Sequence, residues 1–361
     1  MVDEIPNGAH HRLEVTQVEI KTSLVSDAGA SRFRNACAAL HQAMQLVLID
    51  QCGLSAFPLR VILADDLTAE VQRDRDAAAE DPRPFCADRL GGTVMAKCLP
   101  PRPDDGLAVV VFDDTLWRDD TNEFALASGC ARIAHEMAHC ALSELRGGAD
   151  RGGLSCGQTV GELAAREIVS EALEEYRADG IANALMAAIG EHVEEGDGER
   201  RRLRLHDIDG DEYSGRLLEV LNSEVYPGWR DRVQRYRDYA TTFEEMFDGL
   251  SRSVWEVFVL VAHASAVARS AEQPDPLDAL QDHPGVRLYL DDPWRGIREL
   301  GDEYPLLGTS AESVELEARA LDSGVPAVMR TWERLGLTFR LQSSGNTHIH
   351  VAEPLFDADA S

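Results

Sequence analysis

Lysine is nearly absent from this sequence. Of 35 cationic residues only Lys21 and Lys97 are lysines, and 64 Asp and Glu leave a formal charge of −29. Nucleic acids and anionic membrane surfaces both select clustered positive charge. The composition therefore argues against either as a partner. Cysteine is sparse and odd in number: seven, at positions 37, 52, 86, 98, 130, 140 and 156, with no C-x-x-C pair. That reads as reduced, intracellular thiols rather than a disulfide framework. The opening, MVDEIPNGAHH, lacks the basic and apolar regions of a secretory leader. Long apolar runs are missing as well. The most apolar stretch, residues 254–268, includes Glu256 and His263 and is shorter than the roughly 20 residues that span a bilayer. It reads as a buried helix, and the expected compartment is the cytoplasm.

A chain of 361 residues with 44% apolar content can bury a sizeable core, as one large domain or two. The first half alternates β-like and helical patterns: strands over 12–20, 59–65, 91–99 and 107–114, and helices over 31–52 and 66–80. Asp120 and Glu123 have the spacing of a capping box and open a predicted helix over 121–145. The glycine-rich segment 146–158 reads as a loop, and a long helix follows over 159–189. Residues 191–215 are charged and read as a boundary, with an acidic turn at 207–212. Beyond about 211 the pattern is mostly helical, ending in a predicted hairpin over 337–351. The expected fold class is α+β, with a site-bearing domain over 1–192 and a mostly helical region over 211–361.

The predicted helix 121–145 carries His135-Glu136-Met137-Ala138-His139. Positions four apart on an α-helix are offset by about 40°, so both imidazoles point the same way, one turn apart. That spacing lets two rings grip one ion while Glu136 stands beside it, positioned to take a proton from bound water. The alternative is a pair of core histidines that satisfy one another. Phe124, Ala131 and Leu142 share the histidine face, whereas Leu126, Ile133 and Met137 lie opposite, so both faces look buried. Two imidazoles in a core need partners, and a shared ion supplies one.

Two sources of a third ligand fail on inspection. The pattern H-E-x-x-H-x-x-G-x-x-H would need glycine and histidine where Leu142 and Leu145 stand. A di-iron bundle needs two E-x-x-H units, and Glu136 to His139 is the only one. A glutamate on the next helix remains. Glu175 and Asp179 fall on one line with Ile168, Ala172, Ala182 and Met186, so both sit in an apolar stripe. Two buried carboxylates need something cationic opposite them. Zinc on Glu175 and a metal-bound imidazole N–H on Asp179 would meet that need. Glu171 and Glu174 lie off the line and are expected in solvent. A plain acidic helix is the competing reading.

His135-Glu136-x-x-His139 followed by Glu175-x-x-x-Asp179 resembles the gluzincin metallopeptidases, and most of all the soluble minimal members of the ImmA/IrrE type. The resemblance covers about residues 59–190. It implies a zincin-like fold and one Zn2+ held by His135, His139 and Glu175. It also implies that Glu136 is the general base and that Asp179 orients a ligand imidazole. The substrate would be a peptide or protein, its backbone paired with an edge strand, for which 107–114 is the expected segment. The stabiliser of the developing oxyanion is a tyrosine or histidine in such enzymes. Tyr176, Tyr226, Tyr236, Tyr239 and His263 are candidates without motif support. The unmatched C-terminal half leaves a second reading, a zinc-binding regulatory or interaction protein that turns over nothing. The donor set also suits iron, manganese or cobalt.

Cys140 falls on the opposite face from His135 and is expected in the core. His348 and His350 alternate along a predicted strand and read as an exposed pair.

Overall fold

The computed structural model describes residues 17–48, 52, 59–78, 85, 87–89, 92–99, 107–119, 122–146, 158–189, 192–194, 200–202 and 204–354. Residues 12–16, most of the glycine-rich segment 146–158 and parts of 191–215 lie outside that set. The chain is mixed α and β, dominated by helix, and so agrees with the expected α+β class.

In chain order the first elements are β1 (Gln17–Lys21), α1 (Asp27–Val47), β2 (Leu59–Ala64), α2 (Leu67–Ala78), the short β3 (Asp88–Arg89) and β4 (Gly92–Thr93), β5 (Ala96–Leu99) and β6 (Ala108–Asp113). Two long helices follow, α3 (Glu123–Leu145) and α4 (Val160–Ile189), then β7 (His192–Glu194) and β8 (Arg200–Arg202). The remainder is helical: α5 (Leu205–Val220), α6 (Arg230–Arg237), α7 (Phe243–Ser270), α8 (Pro276–Ala279), α9 (Asp291–Glu303) and α10 (Ser310–Arg334). It closes on the hairpin β9 (Leu337–Leu341) and β10 (Thr347–Val351).

The main sheet has the order β1-β2-β6-β5. β1, β2 and β6 run parallel, Val61 pairing with Val18 and with Val110, while β5 runs antiparallel to β6. Side chains alternate across it as the period-two pleat requires. Leu59, Val61 and Leu63 join α1 and α3 in one core, whereas Ile62, Val109 and Val111 pack with Leu67 and Val71 of α2 in another. Both faces are covered, which explains the near-continuous apolar run of β6. It also corrects an expectation: β6 lies inside the sheet and β5 is the edge strand.

Three further expectations are corrected. Asn122 caps α3, its side chain accepting from the Ala125 amide at 2.8 Å, while Asp120 of the expected capping box lies outside the described residues. Residues 207–212 belong to α5, not to a turn. Phe124, in the first turn of α3, is 55% exposed, so the apolar face of that helix begins later.

Helix α4 is the hinge of the packing. Its N-terminal part, with Ile168, Ala172 and Tyr176, joins the large helical core. Its C-terminal part, with Ile181, Leu185 and Met186, joins the core under the sheet. It therefore packs against α3, α7 and α10 at once. The apolar segment 254–268 lies in α7 and is buried, as read from the sequence. α7 is long and apolar enough to cross a membrane, but 78% of its most apolar window is buried inside the protein.

α10 approaches α4 closely at Gly324, where a Cβ would meet both γ-methyls of Val169 at 2.9 Å. Gly324→Leu is expected to lower the unfolding free energy by about 1–3 kcal/mol through overpacking. Gly296→Ala, in α9 with open space at its Cβ position, should raise it by up to about 1 kcal/mol. Urea denaturation of the two variants checks both signs.

Candidate metal centre

α3 and α4 lie side by side, and their facing turns bring the motif residues together. His135 Nε2 and His139 Nε2 are 3.0 Å apart, and Glu175 Oε2 is 3.2 Å from each. Ligands of one tetrahedral ion at bond lengths of about 2.0–2.1 Å sit roughly 3.3 Å from one another. The three atoms therefore already form a triangle of the right size, with two nitrogens and one carboxylate oxygen, a donor set that suits zinc. His135 and Glu175 are buried, and His139 is largely so.

The outer nitrogen of each ring is held by a carboxylate. His135 Nδ1 lies 2.7 Å from Asp179 Oδ1, as the sequence reading expected of that aspartate. His139 Nδ1 lies 2.7 Å from Glu174 Oε1. Glu174 was expected in solvent. It is buried instead, because α4 has no solvated face along this turn, and its second oxygen takes a hydrogen bond from Arg146 at 2.5 Å. Arg146 is the C-cap residue of α3 itself. Glu171, also expected in solvent, is half-buried.

Asp179 also uses its other oxygen: Oδ2 lies 2.7 Å from Nδ1 of His263, on α7. The far nitrogen of His263, Nε2, is 3.7 Å from Glu175 Oε2. One carboxylate thus orients two imidazoles, one of them on a helix far away in sequence. His135, Asp179 and His263 could be taken for a second cation site. Separations of 2.7 Å are hydrogen-bond lengths, too short for two ligands of one ion, so the group is a hydrogen-bonded network.

Charge follows from this packing. Burial by itself opposes a charged imidazole, yet Asp179 outweighs it and holds His135 up at about 9. Burial and Glu175 act on His139 in the same opposing senses, with the carboxylates again raising it. On the acid side burial pushes Glu175 up, but His139 and His135 hold it well below the ordinary carboxylate range. Asp179 is likewise lowered, burial being overcome by His263 and His135. The centre favours positive charge at one point, whether a proton or a metal ion supplies it.

These residues line an open cleft. One wall is Val94 to Lys97, the approach to and start of the edge strand β5. The opposite wall comes from α5 and α7 and includes Tyr213, Trp255, Leu260 and His263. Glu136 lines the cleft beside the histidines, its Oε2 accepting the Cys98 backbone N–H at 2.6 Å. Tyr213 stacks on His263, ring centroids 5.3 Å apart, and its hydroxyl accepts from Arg132 at 3.2 Å.

Of the five oxyanion candidates, only His263 reaches the cleft. Tyr176 donates its hydroxyl to Asp302 in the helical core, Tyr226 and Tyr236 pack against that core, and Tyr239 is 96% exposed. Tyr213 carries no signal in the sequence, because it falls in a charged stretch that reads as a boundary rather than a helix. Nothing in the periodicity of α4 singles out Glu174. An arginine closing the motif helix was its one available signal.

No protein-family model matches this chain, and no curated protein or solved structure matches it either. The functional reading rests on the geometry of the site.

Should the three atoms take up zinc, Asp179→Asn and Glu174→Gln are each expected to weaken its binding about 10–100-fold, since each carboxylate orients one of the two rings that would hold it. Competition against a chromophoric chelator measures this. Glu167→Gln, exposed on the same helix, should leave the affinity unchanged.

Proposed function

We propose that the cleft is the active site of a zinc-dependent metallopeptidase with a gluzincin-type, zincin-like arrangement, akin to the soluble ImmA/IrrE-type enzymes. One observation carries this reading: the Nε2 atoms of His135 and His139 and Oε2 of Glu175 converge within 3.0–3.2 Å on the floor of an open cleft. His135, His139 and Glu175 would hold the ion. A bound Zn2+ supplies Lewis acidity and brings the pKa of a coordinated water to about 7.

The chain's own residues have separable tasks. Glu136, one position after the first ligand, takes a proton at its carboxylate and returns it to the departing amine. Its hydrogen bond from the Cys98 amide holds it toward the edge strand. β5 offers main-chain groups to an extended peptide, which would add to the sheet as a further strand. His263, held by Asp179 and covered by the Tyr213 ring, keeps its Nε2 3.7 Å from Glu175 Oε2 and would be the donor to an oxyanion formed there. Asp179 thereby couples the orientation of a metal ligand to that of an electrophilic donor.

A peptide-library digest tests the proposal. Wild type is expected to cleave, and Glu136→Gln to cleave about 10²–10⁴-fold more slowly while keeping its zinc. Equal cleavage by both would remove Glu136 as the base. Zinc binding with no cleavage by wild type would favour a regulatory or interaction role, with the helical half as the partner-binding region.

A further inference from the structure

The hydrolase reading uses the imidazoles and carboxylates of the cleft and leaves aside two sulfurs on the elements that frame it. Cys98 on β5 and Cys140 on α3 bring their Sγ atoms to 3.0 Å across 42 positions of sequence. Both are free thiols. The gap is only about 1 Å longer than a disulfide bond of roughly 2.0 Å, so a small shift of either side chain closes it.

The placement of the pair gives such a bond consequences. Cys140 directly follows the ligand His139 on α3, and the Cys98 amide is the donor to Glu136 Oε2. Cys98 is half-buried and reachable, whereas Cys140 is 4% exposed. That is the division expected of a sulfur that meets an oxidant and a sheltered partner that resolves it.

We propose that Cys98 and Cys140 form a reversible redox modification site, whose disulfide ties the edge strand to the metal-bearing helix. With a peroxide as oxidant, the Cys98 sulfur attacks the O–O bond, forming a sulfenic acid and releasing one water. The Cys140 sulfur then attacks the sulfenic sulfur, the S–S bond forms, the S–O bond breaks, and a second water leaves. Two electrons pass from the thiol pair to the peroxide. A small dithiol reverses the step by exchange and departs as its own disulfide. Closed, the link draws β5 toward α3 and shifts the Cys98 amide that positions Glu136. The consequence for catalysis rests on the hydrolase reading; formation of the link does not.

The test uses the full-length, zinc-loaded chain treated with hydrogen peroxide, alkylated in denaturant, digested without reduction and mapped by mass spectrometry. A Cys98 peptide joined to a Cys140 peptide, and released by dithiothreitol, is the expected result. Recovery of both as alkylated thiols, or of Cys98 over-oxidised without the link, would overturn the proposal with no variant needed. Peptide cleavage is expected to fall about tenfold to a hundredfold on oxidation, the scale of a small misplacement in an active site. Reductant should restore it, and Cys98→Ser should lose the response to peroxide whatever its own rate. A link with no cleavage before or after would sink the hydrolase reading and keep the dithiol. Cleavage without a link does the reverse.

Discussion

Three adjacent carboxylates buried on one helix, facing imidazoles from two others, are the constraint around which this protein is arranged. Glu174, Glu175 and Asp179 all lie on α4 and are nearly sealed from solvent. Charges taken out of water cost several kcal/mol each unless partners of opposite sign are held close. His139, His135 and His263, with Arg146 behind Glu174, supply those partners at hydrogen-bond distance. An acidic chain normally turns its negative charge outward. Here a part of it is turned inward and concentrated on one point.

That constraint explains why α4 is packed on so many sides. A helix that must keep three carboxylates dry needs cover from α3 on the motif side and from α7 and α10 elsewhere. Small residues allow the close approach, as Gly324 does against Val169. α7 is long and largely apolar, yet it carries His263 to Asp179, which His135 reaches from the other side. The helical half therefore completes the centre as well as covering it.

The sheet contributes through its edge. β2 and β6 are buried inside the sheet and serve as a rigid support, while of the two edge strands, β1 and β5, it is β5 that touches the motif helix. Its backbone touches Glu136 and its cysteine touches Cys140. Helix and strand are thereby linked through neighbouring atoms, so anything that moves β5 acts directly on Glu136.

Spacing along the chain was enough to pair His135 with His139, to set Glu136 beside them, and to put Glu175 and Asp179 on a common stripe, because helical periodicity is local and holds within one element. The alternation of strands and helices, the terminal hairpin and the burial of 254–268 were legible for the same reason. Glu174 was not, since its burial depends on what covers the far side of α4. The edge role of β5 was hidden because strand order is a property of pairing and not of any one strand's composition. His263 carried no motif signal and Tyr213 sat in a segment that read as linker. They join the centre only because α5 and α7 fold back across α4. Local periodicity set which side chains share a face, and long-range packing chose their partners.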